Sequence, residues 1–384
     1  MRRHRTPIAV LSRSIGILTS VGILIASLAW RTVHGAGTPF SDPPFAWQLP
    51  PGLPRPLVPA DNPMSVDKVA LGRMLFYDTR LSANRTYACA TCHEQSRAFT
   101  DGRARAVGST GGTHPRSAMS LGNVAYNVSF GWADGATRSL EGQIAVPMFN
   151  EHPIELGVGG HEAEIVARFA AEPEYARRFA TVFPRDPHPV SLANIVRALA
   201  SFERTLLSGD SPFDRYLYRD ERGAISPAAV RGMTLFFSKE LACATCHESF
   251  NLSGPVKYQG APVPQPIFHN NGLYNVDGRG GYPSTDRGLI DKSGKAGDMG
   301  RFRAPTLRNI ALTAPYMHDG SVPTLEAVLV HYASGGHGGP YESDKLQGFT
   351  MTPADKADLV AFLNALTDRG FVTNAAFGKP ELPR

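Results

Sequence analysis

Ala88-Cys89-Ala90-Thr91-Cys92-His93-Glu94 and Ala242-Cys243-Ala244-Thr245-Cys246-His247-Glu248 are the same seven residues, occurring twice in a chain of 384. Each holds Cys-x-x-Cys-His, two thiols spaced to take the vinyl groups of a haem, followed by an imidazole that ligates its iron. The chain has four cysteines, and these motifs use all of them. A zinc half-site or a thioredoxin-like redox pair also starts from Cys-x-x-Cys. Four zinc-bound thiols would not explain a His after each pair, and a thioredoxin motif would not occur twice. The reading is therefore covalent di-haem, with two haem c groups on Cys89, Cys92 and His93 and on Cys243, Cys246 and His247.

Outward from the motifs, the length suggests two domains with ample apolar content for their cores. Arg2, Arg3, Arg5 and Arg13 precede a mostly apolar run, Ile15 to Trp30, and small residues around Gly35 and Ala36 offer a cleavage point. This is the pattern of a secretory signal over 1–35, and export fits covalent haem attachment. A retained membrane anchor is the other reading of the same run. The net charge of +5 is misleading, because the first 35 residues carry five Arg and no acid; without them it falls to about zero. Nothing then points to nucleic acid or an acidic membrane surface, and the mature form is expected to have no membrane span. Residues 36–63 are rich in Pro and read as an extended arm.

From Ser65 the pattern turns helical, with Val66, Val69, Leu71, Met74 and Leu75 leading to the first motif. Phe99 to Gly112 reads as a Gly-rich loop. Glu162 to Phe183 and Ser191 to Leu207 read as amphipathic helices. Ser226-Pro227 opens a helix that runs through Leu235-Phe236-Phe237 into the second motif. Residues 254–300 read as a long connection over a haem edge, and Thr324 to Tyr332 and Pro353 to Leu366 as the last helices. The expected class is mainly α with few short strands and long loops. Two cytochrome-c-like haem domains are expected, at 64–208 and 209–384, the first peroxidatic and the second for electron transfer.

The duplication extends beyond the motifs. Asp134-Gly135-Ala136-Thr137-Arg138-Ser139-Leu140-Glu141 lies against Asp319-Gly320-Ser321-Val322-Pro323-Thr324-Leu325-Glu326 without a gap. Past Thr324, Leu325, Val328, Leu329 and Tyr332 share a helical face. Tyr332 is 13 residues beyond Asp319, and 13 beyond Asp134 stands Pro147. If both positions face a haem, Tyr332 offers a phenolate oxygen to one iron, while Pro147 has no ligating atom. One haem would be held by His247 and Tyr332, and the other by His93 alone with an open face. A buried core tyrosine is the plainer reading of Tyr332.

With Phe99-Thr100-Asp101-Gly102, Phe302-Arg303-Ala304-Pro305-Thr306-Leu307-Arg308-Asn309 and Ala311 to Gly320, the chain after residue 60 resembles the bacterial di-haem cytochrome c peroxidase superfamily. Tyr332 stands where ordinary members have Met, which resembles the MauG branch. The neighbouring branch that includes MbnH is compatible, and the chain's general look leans to it without a diagnostic residue. The resemblance places the distal catalytic Glu on Glu155, the distal proline on Pro147 and the tryptophan between the haems on Trp132. It also implies a calcium ion bound by backbone oxygens at Thr313 and Pro315 and by an Asn. The Asn position falls on Ser117 here, with Asn123 nearby. His269, His318, Asp101 and Arg303 are expected near haem propionates or the domain interface, and His114 on a loop.

What the resemblance implies is a periplasmic di-haem peroxidase. Glu155 would move a proton between the oxygens of H2O2. The resulting high-valent di-haem state would be shared through Trp132 and would oxidise a Trp or Tyr of a partner protein. An ordinary cytochrome c peroxidase, drawing electrons from a small cytochrome or cupredoxin, is the second reading. A di-haem electron carrier without catalysis is the third, and Pro147 and Glu155 speak against it.

Overall fold

The computed structural model describes residues 45–383, all in one compact unit. The signal reading over 1–35 and the start of the arm lie outside them. From Phe45 to Pro63 the arm has no helix or strand and turns twice, where Leu53 N donates to Pro50 O and Asn62 N to Pro59 O; it is held by Tyr126, whose hydroxyl donates to Pro54 O at 2.6 Å, and by Lys68, whose ammonium donates to Pro63 O at 2.6 Å. Prolines that cannot donate to a ladder leave such a segment to be tied down by side chains.

The helices are α1 (Val66–Phe76), α2 (Cys89–Cys92), α3 (Leu140–Phe149), α4 (Glu162–Ala170), α5 (Pro173–Val182), α6 (Leu192–Glu203), α7 (Pro212–Tyr218), α8 (Pro227–Phe236), α9 (Ile290–Ser293), α10 (Leu325–Ala333), α11 (Pro353–Ala365) and α12 (Arg369–Thr373). Among the described residues, sheet is confined to β1 (His269–Asn270) paired antiparallel with β2 (Arg301–Phe302). The mainly α class and the long loops are as expected from the sequence. One expectation fails: Glu162 to Phe183 is not one helix but α4 and α5. The break falls at Glu172-Pro173, where Glu172 is extended at φ −88°, ψ 113°. A residue before proline is pushed out of the helical region by the ring, and Pro173 then starts α5. α3 is not among the helices expected from the sequence; Ser139 caps it by accepting from Gly142 N at 3.0 Å.

Two helix pairs carry the two cores, and they are built alike. α1 lies on α6 with Gly72 at the crossing, where a Cβ would sit 1.9 Å from Ala198 O. α8 lies on α11 with Gly232 at the crossing, where a Cβ would sit 1.9 Å from Asp358 O. Four residues beyond each glycine, Phe76 meets Phe202 with ring centroids 5.2 Å apart, and Phe236 meets Phe362 at 5.2 Å. Leu199 and Leu206 are buried beside the first pair, Leu359 and Leu366 beside the second. Each such side chain stabilises its core by about 1.5–3 kcal/mol.

The loops repeat the relation. Asn123 and Asn309 are both left-handed, at φ 60° and 62°. Their amides donate to Leu206 O at 2.8 Å and Leu366 O at 3.0 Å. Their carboxamide oxygens accept from Ser208 N and Asp368 N, each at 2.8 Å. Asn tolerates that backbone region because its short polar side chain can be satisfied locally. The chain's last segment then returns to the first core. Phe371 packs 5.4 Å from Phe99, and the Tyr77 hydroxyl donates to Phe377 O at 2.7 Å.

Candidate active site

Each haem motif is a short turn that presents its His inward. His93 follows α2, and its Nδ1 donates to Phe99 O at 2.8 Å. Nδ1 of His247 faces Pro305 O at 3.1 Å and Leu252 O at 3.3 Å. An imidazole whose Nδ1–H is given to a carbonyl keeps Nε2 as a lone pair, the form that ligates metal. Burial pushes both histidines towards the neutral form. Burial likewise raises the cysteine thiols, Cys92 to about 12 and Cys243 to about 11. Buried thiols of this kind are inert as free nucleophiles, and the four lie in no disulfide.

Around His247 the structure opens a cavity of about 540 Å³. Cys243, Cys246 and His247 line it from one side and Tyr332, on α10, from another. Leu325 and Leu329 of the same helix are buried beneath, as the sequence periodicity expects. The Asn271 side chain hydrogen-bonds the Tyr332 hydroxyl, yet burial still raises its pKa. An anion there needs a cation beside it, which an iron would supply. Trp132, Thr313 and Pro315 line the same cavity. The Trp132 indole N–H donates to Ser117 O at 2.9 Å, and its carbonyl accepts from Arg303 N at 2.8 Å.

Arg303 decides whether a haem suits this cavity. Its guanidinium donates to the Met119 sulfur at 3.3 Å. Its Nε is buried with no partner among the described residues. Burial pulls it down to about 10. A guanidinium whose Nε is buried without a partner costs free energy until an acceptor arrives. Haem propionates are anions of the right kind, and the donor set of two thiols, one imidazole and one phenol suits haem c. His269 and His318, also in the wall, are lowered to about 4 by burial. His318 stacks on Phe302 at 3.7 Å. The Arg116–Asp286 pair, bridged at 2.6 and 2.8 Å, lies behind it.

The first motif has a different set of neighbours. Pro147 sits in the last turn of α3, where it matches Tyr332 on α10, and its carbonyl accepts from Leu156 N at 3.0 Å. That bond brings Glu155 to the same turn. The Asn150 carboxamide donates to Glu155 Oε1 at 3.4 Å, but burial outweighs it and raises the Glu155 carboxyl. Glu155 also lies near enough to Cys89 and Cys92 for its charge to add to the rise in both thiols.

The structure does not place Asn123 at a cation site. Its Oδ1 already accepts from Ser208 N, and its amide donates to Ser208 O at 2.9 Å and Asn251 Oδ1 at 3.0 Å. It is the repeat mate of Asn309, consumed in closing its loop. A calcium assignment therefore rests on Thr313 and Pro315. His114 accepts a hydrogen bond from Arg116 N at 3.1 Å on its own loop. Sequence reasoning missed Asn271, Arg116 and Asp286, because nothing local marks residues whose partners lie far along the chain. The Asn270-Asn271-Gly272 run was the available signal for the first.

Three comparisons bear on the site. The di-haem cytochrome c peroxidase family matches residues 66–222, and a RoxA-like, cytochrome c-like family matches 301–333. The methylamine utilization protein MauG of Methylorubrum extorquens is 35% identical, across 88% of this chain and 86% of that protein. The cytochrome-c peroxidase IdrP1 of Denitromonas iodatirespirans is 34% identical, across 92% and 94%. The crystal structure of a MauG-like protein associated with microbial copper homeostasis superposes with a TM-score of 0.85 at 44% identity, across 88% of this chain and 99% of that one.

Proposed function

This chain belongs to the di-haem cytochrome c peroxidase and MauG family, and from that premise we propose that it is a periplasmic peroxidase of the MauG type, which uses H2O2 to oxidise a Trp or Tyr of a partner protein. The observation that carries the reading is the asymmetry of two matching helices: α10 presents Tyr332 to the His247 cavity, and α3 presents Pro147 at the equivalent turn.

Bound at the two motifs, haem supplies iron that takes up the two oxidising equivalents of peroxide. Cys89, Cys92 and His93 would hold one group in the 64–208 half. Cys243, Cys246, His247 and Tyr332 would hold the other in the 209–384 half. Pro147 offers no ligating atom to the first site, which would leave room there for peroxide. Glu155 moves the proton between the peroxide oxygens, a task suited to a carboxyl raised towards neutrality by burial. Tyr332 offers a hard anionic oxygen, which favours oxidised iron more than a thioether does. Arg303 balances propionate charge, and Trp132 beside it carries electrons between the halves. Calcium, at the backbone oxygens of Thr313 and Pro315, would tie the cavity wall. Among the described residues no helix is long and apolar enough to cross a membrane.

The relative associated with copper homeostasis favours a secreted partner that handles metal. The test is to load the protein with haem, add H2O2 and a co-encoded secreted protein, and map added oxygen by mass spectrometry. Oxygen on a partner Trp or Tyr, absent without peroxide, supports the proposal. Steady turnover with a reduced small cytochrome and an unmodified partner would assign the chain to the ordinary cytochrome c peroxidases instead.

A further inference from the structure

A partner protein is too large to enter the His247 cavity, so its electrons need a way in from the surface. Beside the cavity stands a group of rings outside the haem motifs. Phe302 and His318 line the wall, Tyr282 lies 6.1 Å from Phe302, and Tyr274 lies 5.6 Å from Tyr282 and 6.4 Å from His318. Tyr274 is partly exposed, and Val276, two residues on, is 62% exposed. We propose that Tyr274, with Asp319 as its proton acceptor, is the redox relay through which electrons of the partner reach the haem cavity. The inference rests on the protein-oxidising reading above.

A phenol gives up an electron readily only if its proton leaves at the same time, so the acceptor of the hydroxyl decides which tyrosine can serve. Tyr274 donates to Asp319 Oδ2 at 2.5 Å, and Asp319 Oδ1 accepts from Ser321 N at 3.1 Å. Asp319 is buried and in no ion pair with Arg or Lys among the described residues, so it has a free carboxylate charge to neutralise. Tyr282 lies closer to Phe302 but gives its proton to the carboxamide oxygen of Asn270 at 2.9 Å, which cannot keep it. Tyr126, Tyr77 and Tyr316 face backbone carbonyls. Tyr175 does face a carboxylate, Asp78, at 2.7 Å, but it is fully buried in the first core and Asp78 is already paired with Arg80.

The step balances. With haem bound and peroxide as the oxidant, Tyr274 would give up one electron to that site. Its O–H bond breaks, and the proton forms an O–H bond on Asp319 Oδ2, leaving a neutral tyrosyl radical. A partner Trp or Tyr then supplies one electron to Tyr274, and Asp319 returns the proton. Two such cycles account for the two electrons that H2O2 takes.

The experiment uses the haem-loaded full chain with H2O2 and a nitroso spin trap, without partner, followed by proteolysis and mass spectrometry. The expected result is a trap adduct on Tyr274. It is lost in Tyr274→Phe and falls about 100-fold in Asp319→Asn, the low end of what a positioned proton acceptor contributes, while peroxide is still consumed. No adduct on Tyr274 in the wild type, or an undiminished one in Asp319→Asn, overturns the relay. Should Asp319→Asn fail to fold, Tyr274→Phe decides alone: partner oxidation at the wild-type rate sinks the proposal. Failure of the underlying reading looks different, because the wild type then leaves the partner unmodified while adducts still form on the chain.

Discussion

Gly72→Ala is the substitution that tests the twin helix crossings most directly. A Cβ at Gly72 would stand 1.9 Å from Ala198 O, 2.5 Å from its carbonyl carbon and 3.0 Å from Phe202 Cβ. Ordinary contact begins near 3.4 Å, so α1 and α6 must part by about 1.5 Å. The obstacle is backbone, which cannot swing aside as a side chain would. A gap of that width forfeits roughly half of the dispersion contacts across the interface. Leu71, Leu75 and Phe76 on one side and Leu199 and Phe202 on the other are fully buried there. Halving the burial of the two rings alone costs about 1.5–3 kcal/mol, and overpacking strain adds about 1–3 kcal/mol. The better helix propensity of Ala returns about 1 kcal/mol. The net expectation is a loss of about 3 kcal/mol. Gly232→Ala should lose as much, because its Cβ meets Asp358 O at the same 1.9 Å. Gly223→Ala is the control, with nothing within 4 Å of its Cβ, and should change stability by less than about 0.5 kcal/mol. Urea unfolding of the haem-loaded variants, followed by circular dichroism, gives the comparison. A Gly72→Ala midpoint equal to that of Gly223→Ala would refute the reasoning about the crossing.

Other outcomes follow from the site. Glu155→Gln should lower the rate of reaction with H2O2 by about 100-fold to 10,000-fold in stopped-flow absorbance, with haem content unchanged. Burial raises the Glu155 carboxyl, so its base form fills only above the usual carboxylate range; the wild-type rate should climb with pH through that window, and the Gln variant should be flat. Tyr332→Phe removes the oxygen without changing the ring, and the spectrum of the His247 haem should shift while the His93 haem keeps its own. Burial alone would raise Asp286, but the hydrogen bonds and charge of Arg116 outweigh it and hold the folded carboxyl below its unfolded value. Its contribution is therefore complete above about pH 4, the unfolded value, and is lost as pH falls through the folded one. Asp286→Asn should cost about 3 kcal/mol at pH 7, the low end for breaking a buried pair, and acid titration of the variant should be correspondingly flatter.

Much of the site could be read in the chain because its chemistry is written in short spacings. Cys-x-x-Cys-His fixes two thiols and an imidazole within five residues. The Asp134 and Asp319 segments keep their offset to Pro147 and Tyr332, and the structure puts both on matching helices, α3 and α10. Asn123 was read as a polar residue by its neighbourhood in sequence. Its partners are Ser208 and Asn251, 85 and 128 residues away. The deeper repeat, Gly72 with Phe202 against Gly232 with Phe362, also went unread, since each pair joins helices more than a hundred residues apart.

The sequence by itself determined the mainly helical build, and its two Cys-x-x-Cys-His spacings and the Pro147 and Tyr332 offsets carried the reading of the cofactor and its sites. These depend on covalent spacing and helical period, which are local and survive without tertiary context. Only the tertiary structure decided that the Nε of Arg303 is buried without a partner among the described residues, that Asn123 closes a loop, and that Tyr274 meets Asp319 beside the cavity. Those properties belong to burial and to distant partners, and a side chain's desolvation and hydrogen bonds exist only once the chain has closed around it.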